Sequence, residues 1–221
     1  MAATDRRAIL GRGLYPIVDL GVLGARGLEP LAVLEALLAA GPRLVQLRAK
    51  DLGPRDTLDL LRAMRGPCER AGVPLVANDR PDLALLAGLP AVHVGQEDLP
   101  VSQVRRLSSE LLVGVSTHSL EQVKAALLER PDYVAFGPVF GTSSKARPDP
   151  VVGLEGLASA HALTSAAGIP LVAIGGLTLQ HGAAVAPHAE LLAVIADLFA
   201  EGTDAAAITR HAAALSRAMG A

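Results

Sequence analysis

Eight short runs of β-forming apolar residues recur along the chain, and the stretches between them carry helical spacing. The runs are Leu14–Asp19, Arg43–Arg48, Pro74–Asn78, Ala91–Val94, Leu111–Ser116, Asp132–Phe136, Pro170–Ile174 and Glu190–Ile195. Several are apolar on both faces, such as Leu171-Val-Ala-Ile174 and Leu191-Leu-Ala-Val-Ile195. That is the pattern of parallel strands covered on both sides. Helical patterns occupy Pro30–Ala40, Arg55–Ala71, Ser119–Glu129, Gly153–Ala167 and Asp204–Met219. Pro30 suits a first turn, and Gly41 and Gly72 stand where helix ends want a left-handed residue. Eight strand–helix alternations in 221 residues predict an α/β protein, a (β/α)8 TIM barrel forming one domain over residues 1–221. Residues 1–11 read as a short N-terminal extension. A doubly wound open sheet would need a phosphate fingerprint after its first strand, and Asp19-Leu-Gly-Val-Leu-Gly is not one. No P-loop, zinc-ligand spacing or Gly-x-Ser-x-Gly elbow occurs.

Composition excludes several function classes. With two Tyr, three Phe, no Trp and a formal net charge of −2, the chain has neither a stacking platform for single strands nor a field that draws it to nucleic acid or anionic membranes. The core must be aliphatic. Cys68 is the only cysteine, which rules out a disulfide framework or a multi-cysteine metal site and suggests a buried structural thiol. Between Glu155 and Glu190 there is no formal charge, but Gly168, Pro170, Gly175, Gly176, Gly182 and Pro187 interrupt the stretch. It reads as helix, strand, loop and helix rather than a membrane span. Asp5, Arg6 and Arg7 are not followed by an apolar run, so no secretory signal is expected and the cytoplasm is the default.

In a barrel, chemistry gathers at the C-terminal ends of the strands. Those ends are polar or glycine in seven of the eight runs: Asp19; Gln46, Arg48 and Lys50; Asn78, Asp79 and Arg80; Gly95 to Asp98; Ser116, Thr117 and His118; the Gly137–Val152 loop with Thr142, Ser143, Ser144 and Lys145; and Gly175-Gly176. The strand starts are mostly Leu, Pro or Ala. Gln46, Arg48 and Lys50 alternate, so they project to one side. Arg48, Lys50 and Lys145 form an anion site. Asp79 and Asp98 from adjacent strands suit Mg²⁺, which takes one or two carboxylates plus substrate phosphates and water. Gly175-Gly176 lets backbone N–H groups close on a second phosphate. Two phosphorylated groups, one of them metal-bridged, are therefore expected.

Each piece also has a plainer reading. Asp19 and Asn78 suit turns or helix caps, Arg48 and Lys50 suit rim salt bridges, and Gly-Gly suits an ordinary turn. His118 reads as a helix-start residue, His181 and His188 as solvated. Lys145 could form a Schiff base, but a Ser/Thr-rich loop desolvates it poorly and favours phosphate binding.

The segments Tyr15-Pro-Ile-Val-Asp19, Val45-Gln-Leu-Arg-Ala-Lys50, Ala77-Asn-Asp-Arg80, Val92-His-Val-Gly-Gln-Glu-Asp-Leu-Pro100, Gly114-Val-Ser-Thr-His118, Asp132–Phe140 with Thr142–Lys145, and Ala173-Ile-Gly-Gly176 resemble the thiamine-phosphate synthase (thiamine-phosphate pyrophosphorylase) family. The resemblance runs from Tyr15 to about Leu198. It implies a transferase of thiamine biosynthesis that joins hydroxymethylpyrimidine diphosphate to thiazole phosphate and releases pyrophosphate. By that resemblance Gln46, Arg48, Lys50, Asn78, Ser116 and Lys145 hold the pyrimidine diphosphate, with Arg48, Ser116 and Lys145 as the catalytic residues. Asp79 and Asp98 carry Mg²⁺. Thr142, Ser144, Gly176 and the backbone of Ile195 and Ala196 hold the thiazole phosphate, and residues 137–152 form a lid. The family usually reads Ile-Ser where this chain has Ile195-Ala196, often Asn where His181 stands, and commonly Pro where Gly141 stands. Two alternatives stay open: a thiazole tautomerase of the same superfamily using His118, and a non-catalytic phosphometabolite-binding barrel. Small molecules are the expected partners, nucleic acid and membrane are not, and a homo-oligomer is left open.

Overall fold

The computed structural model describes residues 10–141 and 149–220. Its eight strands are β1 (Gly13–Asp19), β2 (Val45–Arg48), β3 (Leu75–Asn78), β4 (Ala91–Val94), β5 (Leu112–Thr117), β6 (Tyr133–Phe136), β7 (Leu171–Ile174) and β8 (Leu191–Val194). They pair in sequence order, all parallel, and close when β1 pairs with β8. The expected barrel and all eight expected strands are present, β4 with the expected ends and the others with at least one end displaced by one or two residues.

The helices start and stop where the sequence places their signals. After α1 (Leu20–Gly24) come α2 (Pro30–Leu38), α3 (Pro54–Ala71), α4 (Pro81–Leu86), α5 (Val101–Leu107), α6 (Leu120–Leu128) and α7 (Gly153–Ala166). Short turns surround α8 (Gly182–Val185), and α9 (Ala205–Ala218) closes the described chain. Proline opens α2, α3 and α4, where its missing N–H costs nothing and its fixed φ is already helical. Asp19, Ser119 and Asp204 cap α1, α6 and α9 through side-chain oxygens. Gly41 and Gly72, both at φ 67°, end the turns after α2 and α3. Among the described residues no helix is long and apolar enough to cross a membrane.

Each strand alternates between two separate cores, which explains why both of its faces are apolar. Outward residues such as Val18, Leu47, Val92, Val113 and Phe136 pack under the helices against Leu61, Met64 and Leu157. Inward residues fill the barrel: Tyr15, Ile17, Val76, Ala91, Leu112, Tyr133, Ala135, Val172, Leu191 and Ala193. Burying one such Leu, Val or Ile contributes about 1.5–3 kcal/mol, so the outer shell supplies most of the hydrophobic stabilisation. Cys68 lies in it, 1% exposed, as expected of a structural thiol. At the base, the buried Asp132 carboxylate accepts from Arg105 (2.5 Å) and from the Val113 N–H (2.7 Å), pinning α5 to the start of β6.

Candidate active site

Parallel pairing delivers the C-terminal ends of all eight strands to one mouth, and its first half is an arc of alternating charge. Asp19, directly opposite Arg48 in the β1–β2 register, is buried. Its carboxylate caps α1 through the Val22 N–H (2.9 Å) and pairs with the Arg48 guanidinium. Lys50 Nζ lies 3.0 Å from the Asp79 carboxylate. The cap and rim-pair readings of Asp19, Arg48 and Lys50 therefore hold in this structure, and they are compatible with binding an anion. A guanidinium has five N–H donors, and one bond to Asp19 fixes its plane while leaving others for phosphate oxygens.

Asp79 has a left-handed backbone, φ 63°. This conformation costs a non-glycine residue free energy, though Asp tolerates it better than most. The kink is held by its own N–H, which donates to His93 O (2.8 Å), and by the Arg80 N–H on Asn78 O (2.8 Å). Asp98 is positioned by the Gly95 N–H (2.7 Å) on its carboxylate. Burial, followed by a hydrogen bond and charge repulsion from Asp79, raises the Asp98 pKa against the opposing effect of Gly95 and Lys50. Two carboxylates this close want a proton or a cation between them. Among the described residues no group of three or more His, Cys, Asp or Glu could enclose a metal. A two-carboxylate site completed by water and phosphate oxygens fits Mg²⁺, which rarely uses an all-protein cage.

Beneath the arc a buried chain of hydrogen bonds crosses the barrel. Gln46 Nε2 donates to Tyr15 Oη (2.7 Å), and Tyr15 Oη meets Tyr133 Oη (2.9 Å). Tyr133 Oη meets His93 Nδ1 (2.9 Å), and His93 Nε2 meets Ser116 Oγ (2.8 Å). The Tyr15 and Tyr133 rings meet edge to face, and His93 stacks on Tyr133. Burial raises the pKa of both phenols, so both stay protonated. Gly114 makes the crossing possible: a Cβ there would lie 1.9 Å from Tyr133 Cζ. Sequence reasoning names Gln46 and Ser116 but misses Tyr15, His93 and Tyr133. The available signal was their alternation with the outward-facing Leu14, Val92, Val94 and Val134, which places them inside the barrel.

The second half of the mouth is built from the loop after β6 and the ends of β7 and β8. Val139 and Phe140 donate to Ile174 O (2.9 Å) and Gly175 O (3.0 Å). Gly175 (φ 93°) and Gly176 (φ 64°) are required here, since a Cβ would meet Pro138 or the carbonyls of Phe140 and Gly141 within 2.4–2.7 Å. The Gly-Gly pair thus seats the preceding loop, a role that the sequence does not reveal. Phe140 stacks on His181 at 3.8 Å between centroids, and His181 Nδ1 bonds back to Thr178. His181 is thereby half-buried rather than solvated. Asp197 Oδ2 accepts from Leu179 N (3.0 Å) and His211 Nε2 (2.9 Å), tying the loops after β7 and β8, where Ile195 and Ala196 lie, to α9.

His118 sits at the start of α6, as its plainer reading has it. Its N–H donates to Gln122 Oε1 (2.6 Å), its Nδ1 to Gly137 O (2.5 Å), and its Nε2 lies 3.5 Å from Asp149. It fastens both described ends of the 137–152 loop. Gln46, Arg48, Lys50, Asn78, Asp79, Asp98, Ser116, Gly176, Ile195 and Ala196 all lie at or just below one mouth. Thr142, Ser144 and Lys145 lie outside the described residues, as do residues 142–148 of the expected lid.

Comparisons with known proteins agree on a family. The profile described as thiamine monophosphate synthase matches residues 14–198. A thiamine-phosphate synthase of Anaeromyxobacter dehalogenans is 42% identical over 215 residues, 96% of this chain and 91% of that protein. One from Chloroflexus aurantiacus is 40% identical over 172 residues, 78% of this chain and 77% of that protein. Among solved structures, a thiamine phosphate pyrophosphorylase from Pyrococcus furiosus superposes with a TM-score of 0.81 at 26% identity, covering 97% of each chain.

Proposed function

The chain belongs to the thiamine monophosphate synthase family, and from that premise we propose that it joins hydroxymethylpyrimidine diphosphate to thiazole phosphate, forming thiamine phosphate and releasing pyrophosphate, with Mg²⁺ as cofactor. The observation that carries the reading is the arc Asp19–Arg48, Lys50–Asp79 and Asp98 on four consecutive strand ends. It offers fixed cations for a diphosphate beside a carboxylate pair short of one positive charge.

The reaction is a substitution at the methylene carbon of the pyrimidine. The C–O bond to diphosphate breaks, the electron pair leaves with the diphosphate, and the thiazole nitrogen then bonds to the stabilised carbocation. No protein nucleophile is needed. The residues must stabilise charge developing on the leaving group and hold the second substrate in line. Arg48, fixed by Asp19, and Lys50 grip the diphosphate, joined by Lys145 as the resemblance implies. Gln46, Asn78 and Ser116 orient the pyrimidine end. Asp79 and Asp98 would hold Mg²⁺, which when bound neutralises charge on the departing diphosphate. Gly176 with Ile195 and Ala196, together with Thr142 and Ser144, would take the thiazole phosphate.

The test is pyrophosphate release from the two substrates together. It is expected to require both substrates and Mg²⁺, to be abolished by Asp98→Ala or Lys145→Ala, and largely to survive His118→Ala. Full activity in EDTA would overturn the proposal. A loss in His118→Ala equal to that in Asp98→Ala would favour the tautomerase instead.

A further inference from the structure

The buried chain from Gln46 to Ser116 has a direction, and the direction follows from counting donors. An amide nitrogen can only donate, so Tyr15 Oη accepts from Gln46 Nε2. Tyr15 has one proton, and among the described residues the remaining polar atom in reach of its hydroxyl is Tyr133 Oη. If Tyr133 donated instead, the Tyr15 proton would be buried without an acceptor, which is costly. Tyr15 therefore donates to Tyr133, and Tyr133 must donate onward to His93 Nδ1. A neutral imidazole accepting at Nδ1 carries its proton on Nε2, which then donates to Ser116 Oγ. Ser116 accepts, so its own proton is left for whatever binds above it.

We propose that Tyr15, Tyr133 and His93 are positioning residues that relay one hydrogen-bond direction across the barrel, holding His93 as the Nε2–H tautomer and presenting Ser116 to the substrate as a donor. The inference rests on the synthase reading for its kinetic test but not for its spectroscopic one. Tyr133 and Tyr15 are 0% and 1% exposed and act only through the chain. It also makes Gln46 and Ser116 interdependent: reversing the amide of Gln46 would reverse every bond and turn Ser116 into an acceptor.

Two measurements on the full chain test this. In ¹⁵N-histidine-labelled protein, with the His93 signals assigned by comparison with His93→Gln, long-range ¹H–¹⁵N correlations are expected to report a protonated Nε2 and a bare Nδ1 without any substrate. A protonated Nδ1 overturns the proposal. In the kinetic test, Tyr133→Phe removes one oxygen from the middle of the chain, and is expected to lower kcat/KM about tenfold. Ser116→Ala is then expected to cost at least fivefold less in the Tyr133→Phe background than alone, because the oriented donor is already lost. Additive losses, or wild-type kinetics in Tyr133→Phe, overturn the relay. If the wild-type protein releases no pyrophosphate, the synthase reading fails while the ¹⁵N result still decides the chain's direction.

Discussion

Alanine at position 114 is the smallest perturbation that should damage this barrel severely. In a strand of ordinary backbone, Gly→Ala usually stabilises by up to about 1 kcal/mol, because it restricts the unfolded chain. Here the added Cβ would sit 1.9, 2.3 and 2.4 Å from Cζ, Cε2 and Cε1 of Tyr133. Carbon atoms rest at about 3.5–4.0 Å, so the phenol end must retreat by about 1.5 Å or more. A retreat of that size takes the 2.9 Å bonds from Tyr133 Oη to Tyr15 and His93 beyond hydrogen-bond range. Overpacking costs about 1–3 kcal/mol, and each buried polar group left unpaired about 1–3 kcal/mol more. The expected loss is about 4 kcal/mol, out of a total of about 5–15 kcal/mol for a protein of this kind. Urea unfolding followed by far-UV circular dichroism reads it directly: with a slope of about 2 kcal/mol per molar, the midpoint should fall by about 2 M. In a Tyr133→Leu background the ring is gone, and Gly114→Ala should then cost less than about 1 kcal/mol. An unchanged midpoint in the single variant would refute the packing argument, as would an equal loss in both backgrounds.

Two further outcomes follow from titratable groups. The Asp98 carboxyl is raised by burial and by Asp79, so the folded protein binds that proton more tightly than the unfolded chain does. The stability it confers is full below the usual aspartate range and is lost as pH climbs through the raised value. Asp98→Asn should therefore raise Tm at pH 7 without added divalent cation and flatten its decline between pH 4 and pH 7; a lower Tm at pH 7 would contradict this. The Cys68 thiol is pushed up to about 11 by burial and by Glu69. As the only cysteine, it should stay unlabelled by a disulfide reagent at pH 8 over the minutes in which urea-unfolded protein reacts fully, whereas prompt native labelling would show that α3 opens locally.

The barrel could be read from the sequence because each of its signals is local. A parallel strand needs apolar residues on both faces, and a helix start or stop needs proline or glycine at a fixed offset. The rim residues were legible for the same reason: a polar side chain at the end of an apolar run has nowhere to go but the mouth. What escaped was decided across the barrel. Tyr15 and Tyr133 look like ordinary core aromatics until the closed sheet brings their hydroxyls within 2.9 Å. His93 looks like a stray polar residue in Ala91-Val-His-Val94 until its neighbours on β5 and β6 are known. Gly175 and Gly176 were legible as a turn or a phosphate cradle, but Pro138 and the carbonyls of Phe140 and Gly141, which exclude a side chain, come from the preceding loop. The left-handed turn at Asp79 has no mark in Asn78-Asp79-Arg80, because the residue type that tolerates it is also the one the chemistry uses.

Closure of the sheet sets a condition on how this molecule comes into being. Leu14, Tyr15 and Pro16 pair with Leu192, Ala193 and Val194, so during synthesis β1 waits for the other seven strands of the barrel before its free edge is covered. Until β8 docks, β1 and β7 both present unpaired backbone, the arrangement that recruits other chains, and the contacts that resolve it are the slowest kind to form. Tyr15 stands on that seam. The hydrogen-bond chain that begins beside it, and the mouth above, cannot be assembled piecemeal while the polypeptide grows; a protein cut short before β8 would lack a functional centre as well as a last strand.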